Sequence, residues 1–301
     1  MDPEPVMKER ILRFGLDSSC IAVMTQCPSR QQSGLTVILL NAGLIHRIGP
    51  SRVYVSIARA LALNGHIVYR VDLDGIGDSL HTDTLGTTTD GAETRAEKDL
   101  SDLLDRLSSE RKQVRACLVG ICFGADVAFA MAQHDQRIVS TVLVNGCLLP
   151  SETVAAAEHL VSRRTKLRQY GRKLLRPEAW RRLLSRQVAF FRHSPPLPRR
   201  PPPPAPLGAR GSKQTLAHST IVEDAWRRIV ARGCRCLVIY SQLSSNLDLF
   251  DHLVRRHLPK TRLIKIEVLK EADHALVLWE AHQAFARIAS AWINNGGLHP
   301  A

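Results

Sequence analysis

The stretch Ala116-Cys-Leu-Val-Gly120-Ile-Cys122-Phe-Gly124-Ala-Asp-Val-Ala-Phe-Ala130 sets an apolar run of strand length directly before a run of small and apolar residues typical of a buried helix. Gly-x-Cys-x-Gly stands at the junction, centred on Cys122. Glycines two residues either side let the backbone turn sharply without Cβ clashes, and such a turn lifts the central side chain above the sheet edge. A helix starting there aims free N–H groups and a partial positive charge at that side chain. The expectation is a partly ionised thiol.

Outward from this corner, strands and helices alternate. Towards the N-terminus, Cys20–Thr25 and Leu35–Leu40 flank Pro28–Gly34 and predict a hairpin. A helix follows over 51–63, stopping at Asn64-Gly65, then a strand over 66–73 and a helix over 92–109. Towards the C-terminus come helix 124–133, strand 138–145, helix 219–231, strand 236–241, helix 247–257, strand 263–269 and helix 276–293. This rhythm predicts an α/β fold with a mostly parallel central sheet and helices on both faces. Residues 1–150 and 219–301 supply the two parts of the core, and 151–218 an insertion.

The chain has 301 residues, enough for one large core without staples. Its net charge of +13 belongs to one segment: residues 161–213 hold fifteen Lys/Arg against the single acid Glu178, so the remainder is close to neutral. Residues 155–192 are helical in composition and rich in Arg, Leu and Trp, which predicts a basic cap over the sheet's carboxyl edge. The following Ser194–Pro206 holds eight of the sixteen prolines and favours extended polyproline backbone. Nucleic-acid binding is disfavoured, because no aromatic platform or groove-reading motif accompanies the charge. Seven scattered cysteines suit reduced thiols rather than a disulfide framework. Without an apolar leader or spanning run, the expected location is cytoplasmic.

A nucleophile needs a base, and the base needs an orienting group. His274 stands in the loop between the last predicted strand and the last helix, where a general base reaches the corner at Cys122. The orienting acid is expected after strand 236–241. There Ser244 and Ser245 occupy the nearest places, so Asp248 is the nearest carboxylate and Asp251 lies one turn later.

The order nucleophile, acid, histidine resembles the α/β-hydrolase fold. Two further stretches are similar to that family: Leu39–His46, like the oxyanion loop after its third strand, and Asp72-Leu-Asp-Gly-Ile-Gly-Asp-Ser79, like its D-x-x-G-x-G-x-S turn. The resemblance covers residues 20–295 and is nearest to the serine-aminopeptidase-like and exosortase-system-associated hydrolases, whose caps are arginine-rich. It implies an oxyanion hole from backbone N–H groups of Phe123 and Gly43 or Leu44, a Cys122–His274–Asp248 triad, and no metal or cofactor. The sequence departs from the family pattern at Cys122, which resembles dienelactone hydrolases and some thioesterases, and at Asn41-Ala42, which replace an H-G pair.

Two functions follow. One is an acyl hydrolase or acyltransferase acting on esters or thioesters through a cysteine acyl-enzyme. Its basic rim suits acyl groups on coenzyme A or an acidic carrier protein, or an anionic membrane surface. The other is a catalytically degenerate hydrolase serving as a binding scaffold. Among other candidates, Asp126 reads as a helix-dipole partner, His46 as a pocket rim or solvated residue, and Asp72 and Asp74 as turn formers. Cys234-x-Cys236 reads as core, and Trp180, Trp226 and Trp279 as packing anchors.

Overall fold

The computed structural model describes residues 6–80, 91–111, 113–149 and 211–295. In chain order the elements are β1 (Lys8–Phe14), β2 (Cys20–Gln26), β3 (Leu35–Leu39), α1 (Val53–Leu63), β4 (Ile67–Asp72), α2 (Ala92–Glu110), β5 (Arg115–Ile121), α3 (Phe123–Ala132) and β6 (Ile138–Val144). Further along the chain come α4 (Gly211–Ala231), β7 (Arg235–Ser241), α5 (Ser245–Leu249), β8 (Ile264–Leu269) and α6 (Trp279–Asn295). The strands form an eight-stranded sheet in the order β1-β2-β4-β3-β5-β6-β7-β8. Strands β4 to β8 and β3 run parallel, while β1 and β2 are antiparallel at one edge.

The alternation of side chains along each strand divides the core in two. On one face Ala116 and Leu118 of β5 and Val238 and Tyr240 of β7 pack with α2, α3 and α4. On the other, Cys117, Val119 and Ile121 join α1 and α6. Both faces of the central strands are buried, so those strands read as continuous apolar runs. Trp226 of α4 is fully buried and meets Phe129 of α3 at 4.9 Å between ring centroids. The anchoring role expected of Trp279 fails, for its side chain is 66% exposed at the start of α6. Trp180 and the cap residues 155–192 lie outside the described residues.

Other expectations are corrected. Cys20–Thr25 and Leu35–Leu40 do not form a hairpin; β2 pairs with β4, and its hairpin partner is β1, from Lys8↔Gln26 to Phe14↔Cys20. The expected helix 247–257 is broken into α5, a wider π-type turn at Phe250–Val254 and a 3₁₀ turn at Arg255–His257. Helix α4 begins at Gly211, inside the expected insertion.

The strand order fixes where chemistry sits. From β3 the chain crosses to β4 on one side, and β5 then lies on the other. Such a reversal opens a crevice beyond the carboxyl ends of β3 and β5. The loop after β3 and the corner after β5 meet there.

Candidate active site

Cys122 sits at the N-cap of α3 with φ 54° and ψ −120°, a left-handed conformation unusual for a side chain bearing a Cβ. Its neighbours hold it there. The Cys122 N–H donates to the Val144 carbonyl at 2.8 Å, and its own carbonyl accepts from the Ala125 and Asp126 N–H groups. The flanking glycines are sterically required. A Cβ on Gly120 would lie 2.1 Å from the Gly124 carbonyl group, and one on Gly124 would lie 2.4 Å from the Asn41 carbonyl oxygen.

That second contact presses the corner against the loop after β3. Here Ala42–Ile45 form a tight turn closed by the Ile45 N–H on the Ala42 carbonyl, with Gly43 at φ 60°. The N–H groups of Gly43 and Leu44 carry no hydrogen bond among the described residues. Asn41, standing where the resemblance expects an H-G pair, braces this loop. Its buried side chain donates to the Ile45 carbonyl and to Asp72 Oδ1, both at 3.0 Å, and accepts from the Leu73 N–H at 2.9 Å. Asp72 is wholly buried and also accepts from the Arg47 N–H and Nη1 at 2.6 Å each and from the Asp78 N–H at 3.2 Å. The turn after β4 and the loop after β3 are thus one hydrogen-bonded body. His46 is exposed on that loop.

His274 lies half-buried in the loop after β8, and its Nδ1 meets Ser244 Oγ at 2.8 Å. This corrects the expected triad: the contact assigned to Asp248 is made by Ser244. Asp248 stands further along α5, and Asp251 pairs with Arg255 on the surface at 2.7 Å. Ser244 is fixed because it caps α5, accepting from the Asn246 N–H at 3.3 Å. Among the described residues no hydrogen bond joins Cys122 Sγ to His274. Their loops are tied through Asn145, which follows Val144 with φ 51° and donates from Nδ2 to the His274 carbonyl at 2.9 Å. The same amide group brackets Ser241, donating to its Oγ and accepting from its N–H.

Electrostatics overturn one expectation. Burial pushes the Cys122 thiol above its ordinary value; a hydrogen bond from the Phe123 N–H draws it back, and the Asp126 carboxylate adds to the rise. The thiol is therefore neutral at rest, because desolvation outweighs the helix N-terminus. Burial lowers the His274 pKa, opposed by the nearby Asp273 carboxylate. Asp126 stands in the first turn of α3, as a helix-dipole partner would, and also holds the loop after β6: Oδ1 accepts from the Leu148 N–H at 2.8 Å, and burial raises its pKa to about 7. Among the described residues, no group of three or more His, Cys, Asp or Glu is placed to hold a metal ion. Nor is any helix among them long and apolar enough to cross a membrane.

Residues 37–288 match the model of the alpha/beta hydrolase family. The chain belongs to that family. No curated protein matches this alpha/beta hydrolase. Solved structures with the same fold include proline iminopeptidase from Mycobacterium smegmatis, 17% identical over 97% of this chain and 99% of the other, with TM-score 0.56. Dienelactone hydrolase from Anabaena variabilis is 12% identical, covering 96% and 98%, with TM-score 0.56. A thermophilic esterase from Thermogutta terrifontis is 14% identical over 96% and 99%, with TM-score 0.52.

Proposed function

We propose that this alpha/beta hydrolase is an acyl hydrolase or acyltransferase that handles esters or thioesters through an S-acyl enzyme on Cys122. The observation that carries the reading is the left-handed backbone at Cys122, held at the crevice beyond β3 and β5. A non-glycine residue in such a conformation costs about 1–3 kcal/mol and persists where the surrounding structure over-determines it, as at functional corners.

The chemistry runs from a neutral pair. As Cys122 Sγ attacks the acyl carbonyl, its proton passes to His274 Nε2, the ring nitrogen not taken by Ser244. The carbonyl electron pair moves to oxygen, where the N–H groups of Phe123 and of Gly43 or Leu44 receive the negative charge. Such preorganised donors are commonly the largest single catalytic effect. Collapse expels the leaving group, which takes the proton from His274 Nε2; water or another acceptor then attacks the acyl carbon and gives its proton to His274, and Cys122 leaves as the thiolate and recovers that proton.

Charge supports a carrier for the acyl group. The basic segment 161–213 suits the phosphates of coenzyme A, an acidic carrier protein or an anionic membrane surface. It belongs to the insertion 151–218 between the core parts 1–150 and 219–301, which we read as a cap. A cytoplasmic location fits the reduced cysteines.

The raised Cys122 thiol and the hydroxyl at His274 Nδ1 favour a second reading, a degenerate hydrolase acting as a scaffold. Turnover of p-nitrophenyl esters and acyl-coenzyme A thioesters separates the two. The enzyme reading expects acyl release that Cys122→Ala abolishes and His274→Ala slows; no release on any donor supports the scaffold.

A further inference from the structure

Resting on the acyl-enzyme reading above, we propose that Ser244 is the positioning residue of His274, and that its neutral hydroxyl restricts the site to acyl donors with good leaving groups. These are thioesters and enol or aryl esters, as opposed to alkyl esters and amides.

The placement of Ser244 is specific. The residue is 4% exposed, and its N–H donates to the Ser241 carbonyl at 2.9 Å. Its Oγ holds two partners, the Asn246 N–H at 3.3 Å and His274 Nδ1 at 2.8 Å. Capping α5 thus fixes the oxygen against the ring. Asp273 adds its charge near His274 but makes no hydrogen bond to the ring, its Oδ1 accepting from the Val277 N–H at 2.9 Å; Asp251 pairs with Arg255.

A carboxylate at Nδ1 does two things. It accepts only, so it enforces the tautomer with the proton on Nδ1, and it stabilises the imidazolium that forms during attack. A hydroxyl donates as well as accepts, so it enforces neither tautomer, and it carries no charge to offset the imidazolium.

The consequence falls on the tetrahedral intermediate. Attack forms the Cys122 S–C bond and leaves the sulfur's former proton on His274 Nε2. Collapse then breaks either the new S–C bond or the bond from carbon to the leaving group. An alkoxide or amine leaves only if the imidazolium hands it that proton, whereas the Cys122 thiolate departs unaided. Without a carboxylate the ring is protonated for less of the intermediate's lifetime, so alkyl esters and amides, whose leaving groups need that proton, return to reactants. A leaving thiolate or enolate competes evenly with Cys122; it departs with the bonding pair and takes its proton from His274 Nε2–H. The acyl group ends on sulfur and the proton on the leaving group, so charge and atoms balance.

The test is a donor series with one acyl group and leaving groups spanning aryl thiols, alkyl thiols, phenols and alkanols, with single-turnover acylation of Cys122 as readout. It is run on the full chain and on Ser244→Asp. Aspartate caps a helix as well as serine does, so the variant keeps α5 and supplies the missing charge. General acid–base catalysis commonly contributes about 10²–10⁴-fold. The wild type is expected to acylate at least about a hundredfold faster from thioesters than from alkyl esters. Ser244→Asp is expected to narrow that gap by about tenfold or more and to move the acid limb of the pH profile upward. A folded Ser244→Asp variant with an unchanged leaving-group slope and pH profile overturns the proposal, as does a wild type indifferent to leaving group. Those outcomes leave the acyl-enzyme reading standing; no acylation from any donor overturns both.

Discussion

Asn145 Nδ2 lies 2.9 Å from the carbonyl oxygen of His274, and the residue before it accepts the Cys122 N–H. One buried amide therefore couples the corner that presents the thiol to the loop that presents the imidazole. Asn145→Gly keeps the left-handed backbone but leaves the Ser241 N–H and Oγ without these partners. Each orphaned buried group costs about 1–3 kcal/mol. Chemical denaturation should show a loss of that size, with a larger loss for Asn145→Ala, whose Cβ resists φ 51°. Acyl turnover should fall in both. Unchanged midpoints contradict the coupling.

Gly120 and Gly124 predict a sharper failure. An alanine at 120 drives its Cβ to 2.1 Å from the Gly124 carbonyl group, and backbone cannot swing aside as a flexible side chain can. Gly120→Ala should lose upward of about 1–3 kcal/mol, the usual range for overpacking. Gly124→Ala, meeting the Asn41 carbonyl, should displace the oxyanion loop and lower acylation beyond what its stability loss explains. Urea midpoints beside single-turnover rates separate the two effects.

Asp72 is the junction of the loops after β3 and β4. Removing one partner of a buried ion pair typically costs about 3–5 kcal/mol, because the other charge stays buried. The Arg47 side chain here is 20% exposed, so Asp72→Ala should fall at about 3 kcal/mol or below. Arg47→Ala should cost less, since Asn41 Nδ2 and the Arg47 and Asp78 N–H groups still serve the carboxylate. A reversed ranking in thermal melts contradicts this assignment.

Titration should follow the neutral pair. The Cys122 thiol is raised by burial, so iodoacetamide labelling at Cys122 should be slow near pH 7 and climb only above the ordinary thiol range. His274 is lowered by burial, so it is neutral and basic at pH 7, and acyl turnover should fall only as pH drops below the ordinary imidazole value of about 6.5. Fast Cys122 labelling that has levelled off by pH 6 contradicts the neutral pair and points to a thiolate–imidazolium couple.

Particular residues show how far the chain alone carries these conclusions. The corner at Cys122 stands out because its chemistry is local: strand, two glycines and helix are contiguous. Strand β1 escapes notice because Lys8-Glu-Arg-Ile-Leu-Arg-Phe14 is mostly exposed at the sheet edge and lacks an apolar run. Pro28–Gly34 marks a loop but not which strand comes next to β2 in the sheet, so the sequence predicts a hairpin that the fold does not form. Ser244 was visible at the expected acid position, yet reading by charge favours Asp248; only the fold shows a serine against the ring. Asn145 had a faint signal, an Asn-Gly pair directly after a strand, which tolerates left-handed backbone. Its hydrogen bonds reach residues some hundred positions away and leave no mark in the local sequence.

The most direct measurement is mass spectrometry of the intact protein, followed by peptide mapping, after brief reaction with an acyl thioester and quenching in acid. The account predicts one added acyl group, located on Cys122, absent in Cys122→Ala and formed more slowly in His274→Ala. A protein that releases the acyl product with Cys122→Ala as active as the wild type, or that carries its acyl group on another residue, contradicts it.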